Sequence, residues 1–407
     1  MADRTEADAK GVQPSVPVSN TEDGRSKVVV AECGSYAADT VAAALEEVMQ
    51  TLGGLSAFVK PGQTVLLKPN LFSAHLPEHA VTTHPELVRQ VILLCAKAGA
   101  GRIWVGDSPV GTQDEKKLWA LTGMEAAVAG TPAELKSWRG PQKPLSCGDD
   151  VLAVPEWFAE VEVMISLPKL KAHCLTTLTC GLKNVYGVVS GPAKLQFHVR
   201  YPSPLAMSAF LVRVFAAMKP RLTLADAVVA MEGNGPAHGR PRRVGVLLAS
   251  QDAVALDAVG CQALRVPPIT VPMIRLAAES GLGVMDEAQM ACVGSGLPRL
   301  HAARMKRSLS RFLECIPEPL FRLSTRLWQF RPKIVVKECV RCGACVANCP
   351  KSCIRVHDRT GYPQINSKRC IACFCCMESC RQGAIALQLD LCSLFCVARK
   401  RYGKGGM

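Results

Sequence analysis

The chain has 407 residues, of which 49% are hydrophobic and 20% charged, which is typical of two or three folded domains and excludes a protein disordered throughout. It contains no run of 18 uncharged apolar residues, so no transmembrane helix is expected, and the polar segment 1–26 lacks the apolar core of a secretory signal. We therefore expect residues 1–26 to be a disordered leader and the protein to be cytoplasmic. In that compartment its 20 cysteines indicate metal binding rather than disulfide bonds.

The net charge of +14 is concentrated in two stretches of the chain. Between Arg299 and Lys333 there are nine Lys or Arg residues and only two glutamates, and residues 399–404 add four more basic residues. These stretches hold 11 of the 14 net charges. Such a basic surface would attract an acidic redox partner protein. No nucleic-acid recognition motif accompanies the charge, so nucleic acid is not an expected partner.

The first part of the chain alternates β-branched runs with helical apolar spacing. We predict strands at 27–33, 64–68, 102–106, 161–167, 222–225 and 244–248, and helices at 39–52, 84–98 and 252–264. Thr82 or Thr83 is the expected cap of the second helix, with Pro85 in its first turn. This order predicts an α/β domain over residues 27–298, with an open, mostly parallel sheet and covering helices.

Residues 299–334 are predicted to form a basic helical connector. Apolar residues from Met305 to Ile316 repeat at helical spacing, and another face carries Arg304, Arg307 and Arg311. We expect this helix to pack on the α/β domain with its basic face in solvent. The alternative is a helix lying on a membrane surface, which leaves peripheral membrane contact open. A basic tail is predicted over residues 391–407.

The strongest motif lies in a cysteine-rich segment, residues 335–390. The pattern C-x2-C-x2-C-x3-C occurs twice with an offset of 31 residues, at Cys339, Cys342, Cys345 and Cys349 and again at Cys370, Cys373, Cys376 and Cys380. Three closely spaced thiolates can bind three irons from one loop, while a distant cysteine binds the fourth. This duplication resembles the bacterial-type ferredoxin, a small α+β domain that carries two 4Fe-4S clusters.

The resemblance implies that each cluster takes three ligands from one repeat and one from the other. One cluster would be bound by Cys339, Cys342, Cys345 and Cys380, and the other by Cys349, Cys370, Cys373 and Cys376. The chain departs from the ferredoxin pattern at Arg381, where proline is usual, so the turn there is less constrained. Zinc is the alternative metal for CxxC pairs, but the duplicated arrangement of three cysteines plus one favours iron and sulfur.

Polar clusters follow several predicted strands of the α/β domain. The candidate site residues are Lys68, Asn70, Asp107, Ser108, Lys169, Lys171, His173, Lys183, Asn184, Glu232 and Gly233. Ligands of open parallel sheets bind beyond the carboxyl ends of the strands, so these side chains are expected to converge on one pocket. Four lysines and a histidine would suit carboxylate or phosphate groups. Each residue taken alone is equally compatible with a solvated charge or a turn.

The motifs of this domain, in this order, resemble the uncharacterised family numbered 362 among domains of unknown function. The matching segments, between about residues 27 and 266, are KPNL, HPELV, GDSP, LPKLKAH, GLKNVYG, MEGNGPAHG and SQDAVALDAVG. Several members of that family are similar in carrying a C-terminal two-cluster ferredoxin unit. The family supplies no reaction.

The leading hypothesis is an iron-sulfur oxidoreductase. Electrons would pass through two 4Fe-4S clusters to an anionic substrate or cofactor in the α/β domain, where we assign Lys169, Lys171 and His173 to catalysis. The other candidate residues of that domain would bind the substrate. One alternative is a non-catalytic electron-transfer or cluster-assembly subunit that docks a partner enzyme. Another is a membrane-peripheral redox protein.

Overall fold

A computed structural model describes residues 24–110, 113–201, 203–308 and 329–390. The predicted leader up to residue 23, the connector helix beyond residue 308 and the tail 391–407 lie outside the described residues. The described start of the connector, residues 303–308, has no regular secondary structure. Among the described residues, no helix is long and apolar enough to cross a membrane.

The α/β domain alternates strands and helices in the predicted order. Its strands are β1 (Ser26–Glu32), β2 (Thr64–Pro69), β3 (Arg102–Val105), β4 (Ala133–Leu135), β5 (Gln142–Cys147), β6 (Asp150–Pro155), β7 (Val163–Leu167), β8 (Lys169–His173), β9 (Thr177–Thr179), β10 (Leu222–Asn234), β11 (His238–Ser250) and β12 (Met290–Val293). Its α-helices are α1 (Ala38–Leu52), α2 (Pro85–Lys97), α3 (Glu115–Leu121), α4 (Met124–Val128), α5 (Gly181–Asn184), α6 (Gly191–Arg200), α7 (Pro204–Met218), α8 (Ala253–Leu264), α9 (Pro272–Glu279) and α10 (Leu297–Ala302).

The cysteine-rich segment forms a smaller unit. It contains β13 (Gln329–Ile334), α11 (Ala344–Ala347), β14 (Ile354–Val356), β15 (Pro363–Ile365), α12 (Cys375–Ser379) and β16 (Ile385–Asp390). Short 3-10 turns elsewhere in the chain span Leu55–Ala57, Pro77–His79, Glu156–Glu160, Val185–Val188, Pro268–Thr270, Glu287–Gln289 and Val336–Glu338. In the smaller unit β13 pairs with β16 and β14 with β15, both antiparallel.

The central sheet confirms the predicted α/β class. Its strands run in the order β12-β1-β11-β10-β7-β2-β3-β4, with β8 added beside β10 and β9 beside β8. Most of its neighbouring strands are parallel, and β11 is antiparallel to both of its neighbours. The carboxyl ends of β2, β3 and β7 therefore meet at one edge of the sheet, where ligands of such folds bind.

Two strands are much longer than the sequence pattern predicts. β10 and β11 form a hairpin of 13 residues a side, whereas the predicted strands covered only 222–225 and 244–248. The segment MEGNGPAHG looks like a loop, but its backbone stays paired up to Asn234 and His238. Gly239 allows this, because a side chain there would collide with Met231 and the Glu232 carbonyl.

Helices cover both faces of the sheet, and β1 shows how the sequence specifies this. Val28 and Val30 pack with α7 and α8 on one face, while Val29 and Ala31 pack with α1 and α2 on the other. A strand that is buried on both faces is apolar at consecutive positions, as in the run KVVVAEC.

The cap of α2 is His84 and not a threonine. The Nδ1 atom of His84 accepts a hydrogen bond from the Glu86 amide at 3.2 Å. Thr83 is used differently, because its hydroxyl donates to the Leu167 carbonyl at 2.6 Å and accepts from the Asn70 amide at 2.9 Å. Thr83 thus ties the segment after β2 to the end of β7.

Aromatic stacking positions α6 against α7. The Phe210 ring lies 4.3 Å from Phe197 and 5.0 Å from Tyr201, measured between centroids. The Tyr201 hydroxyl and Arg213 both donate to the buried Asp150 carboxylate at 2.8 Å. The stack and this buried network together fix α6 at the edge of the sheet where the strands end.

Replacement of Phe210 by alanine tests this arrangement. Phe210 is fully buried, and truncating such a side chain costs about 3–5 kcal/mol of unfolding free energy. We expect F210A to lower the urea midpoint accordingly. The control L93A removes a side chain that is 42% exposed, and should change the free energy by less than about 0.5 kcal/mol. Equal effects of the two substitutions would contradict a packing role for the stack.

Candidate functional site

A cavity of about 760 Å³ lies at the edge where β2 and β3 end. It is bounded by the residues after those strands, by β8, by α5, α6 and α7, and by α12 of the smaller unit. Seven of the eleven candidate residues of the α/β domain line it: Asn70, Asp107, Ser108, Lys171, His173, Lys183 and Asn184. The segment LPKLKAH contributes as strand β8 itself and not as a loop after a strand.

Four candidate residues do not line the cavity. Lys169 is buried beside it, where its amine pairs with Asp226 at 2.6 Å and donates to the Tyr36 hydroxyl at 3.0 Å. Glu232 accepts from the Lys306 amide at 2.9 Å, and the amide of Gly233 donates to the Lys306 carbonyl at 2.7 Å. These contacts hold the β10–β11 hairpin to residues 303–308. The fourth, Lys68, lies behind Asp107.

Lys68 and Asp107 form a buried ion pair under the cavity. The Lys68 amine lies 2.6 Å from one Asp107 oxygen, and the other oxygen accepts from the Leu71 amide at 2.7 Å. Gly187 closes over this pair, and a Cβ atom at that position would collide with both charged groups. The final glycine of GLKNVYG is therefore required by close approach.

Three lysines reach the cavity without such a partner. The Lys171 amine donates to Asn70 Oδ1 at 2.8 Å and to the Val81 carbonyl. Lys194 donates to the carbonyls of Ser108 and Pro109. Lys183 contacts His173 and the Thr176 hydroxyl.

Among the described residues no carboxylate lies within ion-pair distance of these three amines. Desolvation lowers the pKa of Lys183 and Lys194 to about 8 and takes the pKa of Lys171 well below its usual value.

The proton on His173 is placed by its backbone contacts. Its Nδ1 atom accepts from the amides of Leu175 at 2.9 Å and Thr176 at 3.3 Å, so the neutral ring carries its proton on Nε2. Nε2 lies 2.5 Å from the Lys183 amine and 3.6 Å from Glu378 Oε1. Burial and the neighbouring Lys183 lower the pKa of His173 well below its usual value. Lys183 can accept this Nε2–H hydrogen bond only as a neutral amine. Because its pKa is lowered to about 8, a fraction of Lys183 is neutral near pH 7.

Several polar residues of the cavity, among them Lys194, His198, Cys375 and Glu378, were not candidates from the sequence. Lys194 and His198 lie one turn apart on α6, and Cys375 and Glu378 come from α12. The i, i+4 spacing of Lys194 and His198 was the available signal, but these residues follow no strand. Cys375 and Glu378 reach the cavity only because the smaller unit docks there, with His238 Nε2 donating to the Met377 carbonyl at 2.9 Å.

The motif cysteines line two separate, smaller cavities in the C-terminal unit. One, of about 350 Å³, is lined by Cys339, Cys342, Cys345 and Cys380. The other, of about 310 Å³, is lined by Cys349, Cys370, Cys373 and Cys376, together with Cys353 from outside the motif. These groupings match the two ligand sets that the ferredoxin resemblance implies.

The two cysteine loops repeat the same backbone conformation. Arg341 and Ala372, 31 residues apart, both have a left-handed backbone with φ of 57° and 54°. Gly343 and Phe374, offset in the same way, have φ of 75° and 60°. Left-handed residues in tight loops turn successive N–H groups towards a concave centre, which favours a bound anion. A four-thiolate iron-sulfur cluster is such an anion, so the donor set and the loops fit it.

The arrangement does not resemble a site for one ion. Across the described ranges, no group of three or more histidine, cysteine or acidic side chains is placed to hold a single metal ion. In a 4Fe-4S cluster each thiolate binds a different iron, so the four sulfur atoms surround a volume and do not converge on one point.

Comparisons with known proteins cover mainly the α/β domain. A family model described as "Domain of unknown function (DUF362)" matches residues 65–262. The thylakoid-associated protein sll1697 of Synechocystis sp. is 36% identical over 256 residues, which are 62% of this chain and 78% of that protein. A crystal structure of a Thermotoga maritima protein aligns with a TM-score of 0.34 and 10% identity, over 61% of this chain and 60% of that one.

Lys194 provides a test of the charge buried at the cavity. A lysine pKa that falls from 10.5 to about 8 destabilises the fold below pH 8 by about 3 kcal/mol, since 1 pKa unit is about 1.4 kcal/mol. Loss of two hydrogen bonds offsets about half of that. We therefore expect K194M to raise the free energy of unfolding by about 1–2 kcal/mol at pH 7.

The gain should shrink between pH 8 and pH 10.5, because the folded protein holds the amine neutral there and the cost of doing so falls as the unfolded chain approaches its own pKa. Equilibrium urea unfolding at several pH values measures it as the difference between wild type and variant. K116M, which removes an exposed lysine, is the matched control and should show no gain. A K194M protein destabilised at every pH would show that this amine is held without electrostatic cost.

Proposed function

Because this chain belongs to the DUF362 family, whose description names no activity, we propose a function from its own residues: an iron-sulfur oxidoreductase that reduces an anionic substrate. The residues proposed to bind two 4Fe-4S clusters are the two cysteine sets of the C-terminal unit. The proposed substrate site is the lysine-lined cavity of the α/β domain.

One observation carries the proposal: helix α12 belongs to both sites. It contains Cys376, one of the proposed cluster ligands, and its residues Cys375 and Glu378 line the lysine cavity. A substrate in the cavity would therefore lie one residue away from a proposed ligand. Electron transfer needs this kind of proximity, whereas a unit that only docks a partner enzyme has no use for a buried lysine cavity beside its cysteines.

The residues of the cavity have separate proposed roles in the reduction. The clusters, when bound, would supply electrons one at a time from an external donor protein, for which an acidic surface would complement the basic stretches of the chain. The amines of Lys171 and Lys194 would hold the anionic groups of the substrate. His173 would donate a hydrogen bond to the substrate through Nε2–H, and Lys183, in its ammonium form, would supply one of the two protons that balance two electrons, the other coming from water. Lys169, paired with Asp226, would support β8 and not touch the substrate.

The iron content tests the cysteine assignment. Purified without oxygen, the chain should carry roughly eight irons, four for each cluster, and two interacting spins by EPR after reduction. C349A should lose about half of the iron, because it removes a ligand of one set. C353A is the matched control: its sulfur lies only 3.3 Å from that of Cys349, yet we expect it to retain all the iron.

Two outcomes would contradict this assignment. Zinc in place of iron in the wild-type protein would remove the proposed redox role. Loss of iron in C353A together with full retention in C349A would show that Cys353, and not Cys349, is a ligand. The ligand set that the ferredoxin resemblance implies would then be wrong.

A second candidate is a redox protein at a membrane surface. The cyanobacterial relative is named as thylakoid-associated, and the described helices are too short or too polar to span a bilayer. Association would then be peripheral, through the basic residues that follow the α/β domain. We otherwise propose a cytoplasmic protein.

Vesicle sedimentation separates these two locations. If the second candidate holds, the protein should bind vesicles that contain anionic lipid, and the triple substitution R304Q/R307Q/R311Q should weaken binding by roughly tenfold or more, since each surface charge contributes about 1 kcal/mol. The control K97Q/K116Q/K117Q removes the same charge from exposed lysines and should have little effect. Equal losses of vesicle binding in the two triple variants would indicate attraction by net charge alone. If the wild-type protein does not bind the vesicles, the membrane candidate is refuted and the cytoplasmic proposal remains.

A further inference from the structure

The charges around the lysine cavity do not balance. Asp107 is already paired with Lys68, so within the described part of the chain the carboxylate left to face the amines of Lys171, Lys183 and Lys194 is Glu378. His173 and His198 do not change this count of charges, because desolvation keeps both rings neutral. The pKa of His198, for example, is lowered to about 4. Protonation of all three amines beside one carboxylate would leave two positive charges without a partner. Buried charges are normally paired, because an unpaired one is very costly.

The remaining wall of the cavity is apolar. It is formed by Phe72, Val110, Leu175, Leu195, Met207 and Leu211. Aromatic rings also lie near two of the amines: Lys171 is 5.5 Å from the Phe72 centroid, and Lys194 is 5.7 Å from that of Tyr186. A small inorganic anion would leave most of this wall uncovered.

We infer that the cavity takes a small molecule with two negative charges at one end and an apolar, ring-sized body at the other. The two charges would be those of a phosphate monoester or of two neighbouring carboxylates. Bound in this way, the ligand would neutralise the excess charge of the three lysines and bury the apolar wall. The inference rests on the proposed function only in treating this cavity as the substrate site.

Calorimetric titration with four ring compounds tests the inference. Phenyl phosphate and phthalate carry two charges, benzoate carries one, and benzyl alcohol carries none. Added to the full-length protein prepared without oxygen, near neutral pH, at least one dianion should bind tenfold or more tightly than benzoate, and benzyl alcohol should not bind measurably. The two dianions distinguish the phosphate from the dicarboxylate form. Inorganic phosphate, which lacks the ring, should bind more weakly than phenyl phosphate.

Two lysine variants locate the binding. K194M should weaken binding of the preferred dianion at least tenfold, while K116M, at an exposed lysine, should leave it unchanged. Equal binding of benzoate and both dianions would overturn the inference, as would equal losses in K194M and K116M. The comparison of probes needs only the wild-type protein, so it does not depend on the folding of a variant.

The iron measurement separates this inference from the proposed function. A protein that binds a dianion but contains no iron would refute the redox function and retain the ligand class. A protein with eight irons that binds none of the charged probes would refute the inferred ligand class and leave the redox function standing.

Discussion

The structure depends on keeping several lysine amines out of water at one edge of a parallel sheet. Lys68 and Lys169 are each paired with a carboxylate at 2.6 Å. Lys171 and Lys194 are buried, and the partners of their amines among the described residues are amide and carbonyl oxygens. A folded protein tolerates this because the segments that follow β2 and β3 supply those oxygens. The site would gain stability from any ligand that brought negative charge, because the electrostatic cost of the buried amines is concentrated there.

The same edge explains why the C-terminal unit is attached where it is. Helix α12 adds Glu378 to the wall of the cavity, and His238 of the long hairpin holds the helix through the Met377 carbonyl. The extra length of β10 and β11 therefore places His238 within hydrogen-bond distance of the smaller unit. Cys376, on the same helix, lines one of the two cysteine cavities, so α12 contributes to the walls of both that cavity and the lysine cavity.

Much of this architecture can be predicted from the sequence. The run KVVVAEC predicts a strand buried on both faces, and the order of strands and helices predicts the parallel sheet. Polar residues just after strands, such as Asn70 and Asp107, converge as the sheet rule requires. The rule fails for Lys169, Glu232 and Gly233, because charge pairing and backbone contacts depend on partners distant in the chain. Lys194, His198 and Glu378 were missed for the same reason: a helix after a turn, and a helix in another unit, reach the site only through tertiary docking.

The cavity is built from residues that leave the ribosome at very different times. Lys68 and Asp107 are made early, whereas Glu378 and Cys375 follow some 270–310 residues later. At about 5–20 residues per second, the lysines of the α/β domain wait roughly 10–60 seconds for the helix that closes over them. During that interval the amines remain hydrated and the site stays open. Completion of the pocket therefore waits for synthesis of α12, and insertion of any prosthetic group into the cysteine loops would come at a similarly late stage.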